Sequence, residues 1–111
     1  MSVSDHVPDL DQVTVIVVTF NSAHCIEALT TALKGFAHVI FVDNASHDHT
    51  QQEVRQRMPG AQWIGNDQNL GFGAANNLAL RHVKTPFAFL LNPDCEARAN
   101  DVMLLLADRK S

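Results

Sequence analysis

Four stretches of the chain are apolar almost without interruption, and between them apolar residues recur at helical spacing. Residues 13–20 (VTVIVVTF) are rich in β-branched side chains, which favour a central strand. Residues 87–91 (FAFLL) are a shorter apolar run bounded by turn residues, the pattern of a strand buried on both faces, and residues 38–42 (HVIFV) and 61–65 (AQWIG) read as a second and a short third strand. After the first run, Ile26, Leu29, Ala32 and Leu33 form one stripe. That spacing predicts a helix of about ten residues, capped by Asn21 or Ser22 and closed by Gly35. Thr50 followed by Glu53 matches a capping box, so a second helix starts there, carries Val54 and Met58 on one face and stops at Pro59 and Gly60. Residues 71–83 predict a third helix with Ala75, Leu78, Ala79 and Val83 facing inward, broken at residues 84–86 (KTP). Asn100 or Asp101 is placed to cap a fourth, over residues 102–108, in which residues 104–106 are apolar nearly all round.

The order is β-α-β-α-β-α-β-α. Such alternation predicts a three-layer α/β/α fold on a mainly parallel sheet of about four strands, Rossmann-like in plan, with right-handed crossovers. With 111 residues the chain is expected to be one domain, residues 13–111, behind a loose lead-in at residues 1–12. Composition adds that 46% of residues are hydrophobic and 18% charged, enough for a core. The net charge of −4 leaves no broad basic footprint, so nucleic acid is not an expected partner. Cys25 and Cys95 lack CxxC spacing and read as free thiols of a reducing compartment. The lead-in is acidic and polar, and no apolar run approaches a membrane span. The expected location is the cytoplasm, with peripheral attachment to the inner membrane left open.

The polar residues gather where the strands end. Thr19 and Asn21 follow the first; Asp43, Asn44 and Ser46 the second; Asn66, Asp67 and Asn69 the third; Asn92 and Asp94 the fourth. In a parallel sheet these ends share one edge, the edge at which open α/β sheets bind ligands. Asn, Asp and Ser also populate ordinary turns and caps, but two carboxylates at strand ends, Asp43 and Asp94, favour a ligand site. Asp43 suits a ribose hydroxyl or a pyrimidine imide. Gly71 and Gly73 permit close backbone approach, and the helix start behind them offers amides to an anion. A third glycine is missing and the pair follows the third strand, so a nicotinamide-dinucleotide fingerprint is rejected, and no P-loop is present. Asn76 and Asn77 are poor helix formers, which suggests another role. Asp94 suits Mg2+ or Mn2+, which take oxygen ligands and share them with phosphates. Asp48 with Thr50 reads as helix capping, and His47 and His49 as loop residues rather than a metal site. Trp63 reads as core or edge cover.

Together, residues 13–21 (VTVIVVTFN), 39–50 (VIFVDNASHDHT), 69–77 (NLGFGAANN) and 89–94 (FLLNPD), in this order and spacing, resemble the amino-terminal half of family 2 glycosyltransferases, inverting enzymes of GT-A type. The resemblance implies that Thr19, Phe20 and Asn21 line a nucleoside pocket and that Asp43 contacts base or ribose, with Asn44 grouped beside it. It lays Asn69, Gly71, Asn76 and Asn77 along the nucleotide, Asn76 at a position where many members have arginine. Asn92, Pro93 and Asp94 stand in for the family's metal-binding Asp-x-Asp: Asp94 matches the final aspartate and would hold Mg2+ or Mn2+, while Asn92 replaces the first and joins the nucleotide-binding set. The NPD form resembles rhamnosyltransferase-like members, which implies a dTDP-rhamnose donor, with UDP-sugars open. The activity implied is metal-assisted transfer of a glycosyl group from a nucleotide-diphosphate sugar to the hydroxyl of a saccharide or lipid-linked acceptor.

Family catalytic domains are considerably longer. The acceptor site and the general-base carboxylate are expected outside this chain, and no catalytic base is assigned within it. Nucleotide binding with little turnover, and self-association through an uncovered apolar face as a homo-oligomer, are the corresponding expectations. The competing reading is a non-catalytic nucleotide-binding or regulatory α/β module. A nucleotidyltransferase ranks lower, because the loop after the first strand (TFNSAH) has no Gly, Lys or Arg.

Overall fold

The computed structural model describes residues 10–91 and the strand Val102–Leu106. Asn92 and Asp94 lie outside these residues. Strand β1 (Val13–Thr19) is the sheet's middle, and every one of its residues is buried. Its side chains alternate between two cores. Val13, Val15 and Val17 pack with Val39, Phe41, Ile26, Leu33 and Val54, and Ile16 and Val18 pack with Ile40, Val42, Ala75, Ala79 and Val83. Period-two alternation in an all-apolar strand is what gives a parallel sheet helices on both faces. The first core is covered by α1 (Ile26–Ala32) and α2 (Thr50–Arg57), the second by α3 (Gly71–Leu80). The strands β2 (His38–Asp43), β3 (Gln62–Gly65), β4 (Phe87–Leu91) and β5 (Val102–Leu106) complete a sheet of order β3-β2-β1-β4-β5. The first four run parallel, as expected, and the three-layer α/β plan is the one read from the sequence.

The fourth helix is corrected: residues 102–106 form β5, antiparallel to β4, with Phe87 opposite Leu106 and Leu91 opposite Val102. A five-residue run that is apolar throughout carries no period to separate helix from strand. The exposed edge of β4 needs hydrogen-bond partners, and tertiary pairing overrides the helix propensity of leucine.

The first helix is shorter than expected. A 3-10 turn at Ala23–Cys25 precedes the seven-residue α1, and Ala32 is exposed. Neither Asn21 nor Ser22 caps it locally. The Ser22 N–H donates to Thr50 Oγ1 at 2.9 Å and the Ala23 N–H to Asp48 Oδ2 at 3.1 Å. Gly35 has no left-handed conformation. α1 ends instead at Leu33, whose N–H bonds the Leu29 and Thr30 carbonyls.

The capping box of α2 does not form. Glu53 turns to Arg57, 2.9 Å away at i,i+4, and Asp48 takes the Thr50 N–H instead, as the expectation for Asp48 has it. α3 stops at Leu80, three residues short of Val83, which is nevertheless buried.

Within the expected lead-in, Leu10–Gln12 forms a 3-10 turn. Trp63 stacks on Phe41, ring centroids 6.4 Å apart. Cys25 is disulfide-bonded, which corrects the free-thiol reading; Cys95 lies outside the described residues. Sequence spacing carries no information about partners that the tertiary fold selects. Among the described residues no helix is long and apolar enough to cross a membrane.

Candidate functional site

Strands β1, β2 and β3 end in register, with Thr19 beside Asp43 and Asp43 beside Gly65. Their loops therefore leave from one edge, and the buried Asp43 carboxylate, 7% exposed, is the hub. Thr19 Oγ1 donates to Asp43 Oδ1 at 2.6 Å and Ser46 Oγ to the same oxygen at 2.5 Å; the Ser46 N–H donates to Oδ2 at 2.9 Å. Ser46 Oγ in turn accepts the Asn21 N–H at 2.7 Å, and Asn21 Oδ1 accepts the His47 N–H at 2.8 Å. The loops after β1 and β2 are thereby sewn together. An ionised carboxylate has about four acceptor positions. Three are taken, which leaves one acceptor position on Oδ2 without a partner among the described residues.

Two residues of these loops are left-handed: Asn21 at φ 50° and Ala45 at φ 63°. Asparagine tolerates this region, whereas for alanine it costs about 1–2 kcal/mol. Ala45→Gly is expected to stabilise the protein by about 0.5–1 kcal/mol, because glycine's larger loss of chain entropy offsets part of the relief. A urea midpoint that rises supports this geometry; one that falls contradicts it.

Asp48 ties the same two loops from the outside. Its Oδ2 accepts the Ala23 N–H and its Oδ1 the Thr50 N–H and hydroxyl. The slight desolvation of this exposed residue works to raise its pKa, but the hydrogen bonds from Thr50 and Ala23 and the neighbouring His49 outweigh it and hold the carboxyl below its ordinary value. The folded protein therefore keeps Asp48 ionised to lower pH than the unfolded chain does. Its contribution to stability is complete above about pH 4 and fades as pH falls through the folded pKa. Asp48→Asn is expected to flatten that part of the acid limb in urea melts recorded from neutral pH to about pH 3. Parallel acid limbs for the two proteins would count against it.

The third loop joins through Asn44, which is 2% exposed. Its Oδ1 accepts from Asn66 Nδ2 at 3.0 Å and from the Leu70 N–H at 3.3 Å, and its Nδ2 donates to the Gly71 carbonyl at 3.2 Å. Gly71 begins α3 at φ +84°, a conformation that favours glycine, with its N–H on Asn69 Oδ1 at 2.8 Å. Asn76, 3% exposed, donates to the Phe72 carbonyl at 3.1 Å, and its Oδ1 is buried without a partner among the described residues. Asn77 is exposed. Phe20 and Leu70 on these loops and Phe72 in the first turn of α3 are exposed apolar side chains, at 47%, 41% and 41%.

Hydrogen bonds thus bring together Thr19, Asn21, Asp43, Asn44, Asn69 and Gly71 at one edge. Thr19 is fully buried with its hydroxyl proton on Asp43, so it supports the carboxylate. β4 ends at Leu91, opposite Val17, and the Asn92–Asp94 motif follows it in sequence. The sequence places Ser46 and Asn66 among the polar residues at the strand ends without a contact for either, and Phe72 is not among its site residues. For Ser46 the signal is its place three residues after an aspartate, the spacing of a local side-chain turn. Among the described residues no group of three His, Cys, Asp or Glu could hold a metal ion. A cleft of about 590 Å³ lies elsewhere, where α1 and α2 end, lined by Lys34, Phe36, Arg57 and Met58 among others. It gathers no carboxylate, and we place the site at the Asp43 edge, where buried polar groups converge.

Comparison with known proteins agrees with this geometry. A sequence profile described as glycosyl transferase family 2 matches residues 14–108. The chain is 26% identical over 106 residues to the low-salt glycan biosynthesis hexosyltransferase of Haloferax volcanii, covering 92% of this chain and 34% of that protein. A mannosyltransferase from Pyrobaculum calidifontis, solved with GDP-Man and Mn2+, superposes with a TM-score of 0.70 at 30% identity over 81% of this chain and 30% of its own. Glucosyl-3-phosphoglycerate synthase from Mycobacterium tuberculosis, solved with Mn2+, UDP and glucosyl-3-phosphoglycerate, shares the fold, with a TM-score of 0.65 at 18% identity over 76% of this chain and 34% of its own. The chain spans about a third of the length of these relatives. With the profile running from β1 through β5 over the edge that carries Asp43, the chain belongs to glycosyl transferase family 2, in its GT-A fold.

Proposed function

We propose that this edge binds the nucleotide of a nucleotide-diphosphate sugar, for transfer of its glycosyl group to an acceptor hydroxyl. The observation that carries this reading is the Asp43 carboxylate, with three hydrogen bonds made and one position open. The N3–H of uracil or thymine, or the N1–H of guanine, is a donor of the kind that position accepts. Phe20, on the loop after β1, and Phe72, in the first turn of α3, offer exposed ring surface for the base. Support also comes from relatives solved with GDP-Man and with UDP, each with Mn2+.

The diphosphate needs positive charge. Among the described residues, the loops at this edge, 20–25, 44–49 and 66–70, contain no Lys or Arg. A Mg2+ or Mn2+ held by Asp94 fits that gap and would neutralise charge on the leaving diphosphate; Asn92, being neutral, would add an oxygen without charge. The amides at the start of α3 are a second source of partial positive charge. The Asn92-Pro93-Asp94 form favours dTDP-rhamnose as donor, and the acceptor is proposed to be a saccharide or lipid-linked hydroxyl. The general base for that hydroxyl is not assigned to a residue of this chain.

Calorimetric titration with UDP, dTDP and GDP, with and without Mn2+, tests the reading. Metal-strengthened binding of at least one nucleotide, lost in Asp94→Ala, is expected. Absence of binding by all three overturns it.

A further inference from the structure

We infer that Asn44 is a positioning residue: it fixes the β3–α3 turn, and with it the amino end of α3, against the ends of β1 and β2, without itself touching the ligand. The inference rests on the nucleotide-binding reading of this edge. An asparagine side chain offers two acceptor positions and two donor hydrogens. In Asn44 both acceptor positions are filled, by Asn66 Nδ2 and the Leu70 N–H, and the amide nitrogen donates to the Gly71 carbonyl. Its backbone N–H donates to the Thr19 carbonyl at 2.9 Å. One buried residue therefore links the end of β1 to both ends of the turn.

The turn has little else to hold it. Asn66 is half-buried, and residues 67–71 are all exposed. Leu70 points 41% of its surface to solvent, and a side chain at Gly71 would meet nothing within 4 Å. Apart from the Asn44 bonds, the Asn66 N–H ties the turn to the sheet through the Asp43 carbonyl at 2.9 Å. Apolar packing first anchors α3 at Ala75, one turn inside the helix. The side chain of Asn44 therefore sets where residues 70–73 sit relative to Asp43, and so whether base and diphosphate contacts can be made at once.

The arrangement is tested with two variants and two readouts. Asn44→Ala removes all three side-chain bonds. Asn44→Asp keeps an acceptor for Asn66 and Leu70 but sets a carboxylate against the Gly71 carbonyl. In hydrogen exchange, the Leu70 amide of Asn44→Ala is expected to lose about tenfold or more of its protection, while amides of Val15, Val17 and Phe41 in the sheet keep theirs. Nucleotide affinity, read by calorimetry, should fall about tenfold in Asn44→Ala and by a smaller factor in Asn44→Asp. Wild-type affinity in Asn44→Asp overturns the inference even if the alanine variant fails to fold. So does unchanged affinity in an alanine variant whose turn exchanges freely. If the wild-type protein binds no nucleotide, the ligand reading fails; the Leu70 exchange result then still decides whether Asn44 holds the turn.

Discussion

Asp43→Ala is expected to weaken nucleotide binding by about 10- to 100-fold, and to destabilise the fold by about 2–4 kcal/mol. The two effects have one origin. The carboxylate accepts from the Thr19 hydroxyl, the Ser46 hydroxyl and the Ser46 N–H. Its removal leaves a fully buried hydroxyl at Thr19 with no acceptor, while the partly exposed Ser46 can turn to water. The ligand loses its charge-assisted partner at the same time. Asp43→Asn separates the effects. Its carbonyl oxygen can still accept from Thr19 and Ser46, but its NH2 then faces the Ser46 N–H and presents a donor where the base needs an acceptor. A stable Asp43→Asn protein that does not bind nucleotide is the expected result. An Asp43→Asn protein that binds as well as wild type would remove Asp43 from the ligand site.

Phe41→Ala is expected to cost about 3–5 kcal/mol, a large share of the roughly 5–15 kcal/mol that stabilises a domain of this kind. Phe41 is the largest fully buried side chain among the described residues, in the middle of β2, stacked on Trp63 and packed with Val15 and Val17 of β1 and Val54 of α2. The adjacent strands β1 and β3 are held by their hydrogen-bond ladders and cannot close over the gap. Thermal denaturation should show a Tm lower by more than about 12 °C, or no cooperative transition at all. A shift of only a few degrees would mean that the packing around β2 is looser than the structure shows.

Much of the fold is legible in the sequence because the strands that matter are pure cases. The β-branched run of β1 and the short apolar runs of β2 and β4 read only one way when helical patterns separate them. Parallel order then fixes which ends share an edge, so the convergence of Thr19, Asn21, Asp43, Asn44, Asn69 and Gly71 follows from topology before any contact is known. What topology does not fix is which hydrogen bond each polar group makes. Ser22 looks like a cap for the first helix, but Thr50 at the start of α2 and Asp48 in the loop before it take the N–H groups of Ser22 and Ala23. Glu53 looks like half of a capping box, but Arg57 lies one turn on and carries charge. Thr19 and Asn44 look like ligand contacts, but other groups of the protein already engage their polar atoms. In each case the local pattern is real and a partner distant in sequence, or better charged, wins. For β5 the sequence is ambiguous in itself, since five apolar residues fit either structure until β4 offers an edge.

The central claim is that nucleotide binds where β1 and β2 end, against Asp43. Amide chemical-shift mapping of isotope-labelled protein titrated with UDP, GDP and dTDP in Mg2+ tests it most directly. Shifts are expected to concentrate at residues 19–21, 43–46 and 70–73. Shifts confined to residues 30–37 and 56–61, around the cleft at the opposite edge, or no shifts with any of the three nucleotides, would contradict it.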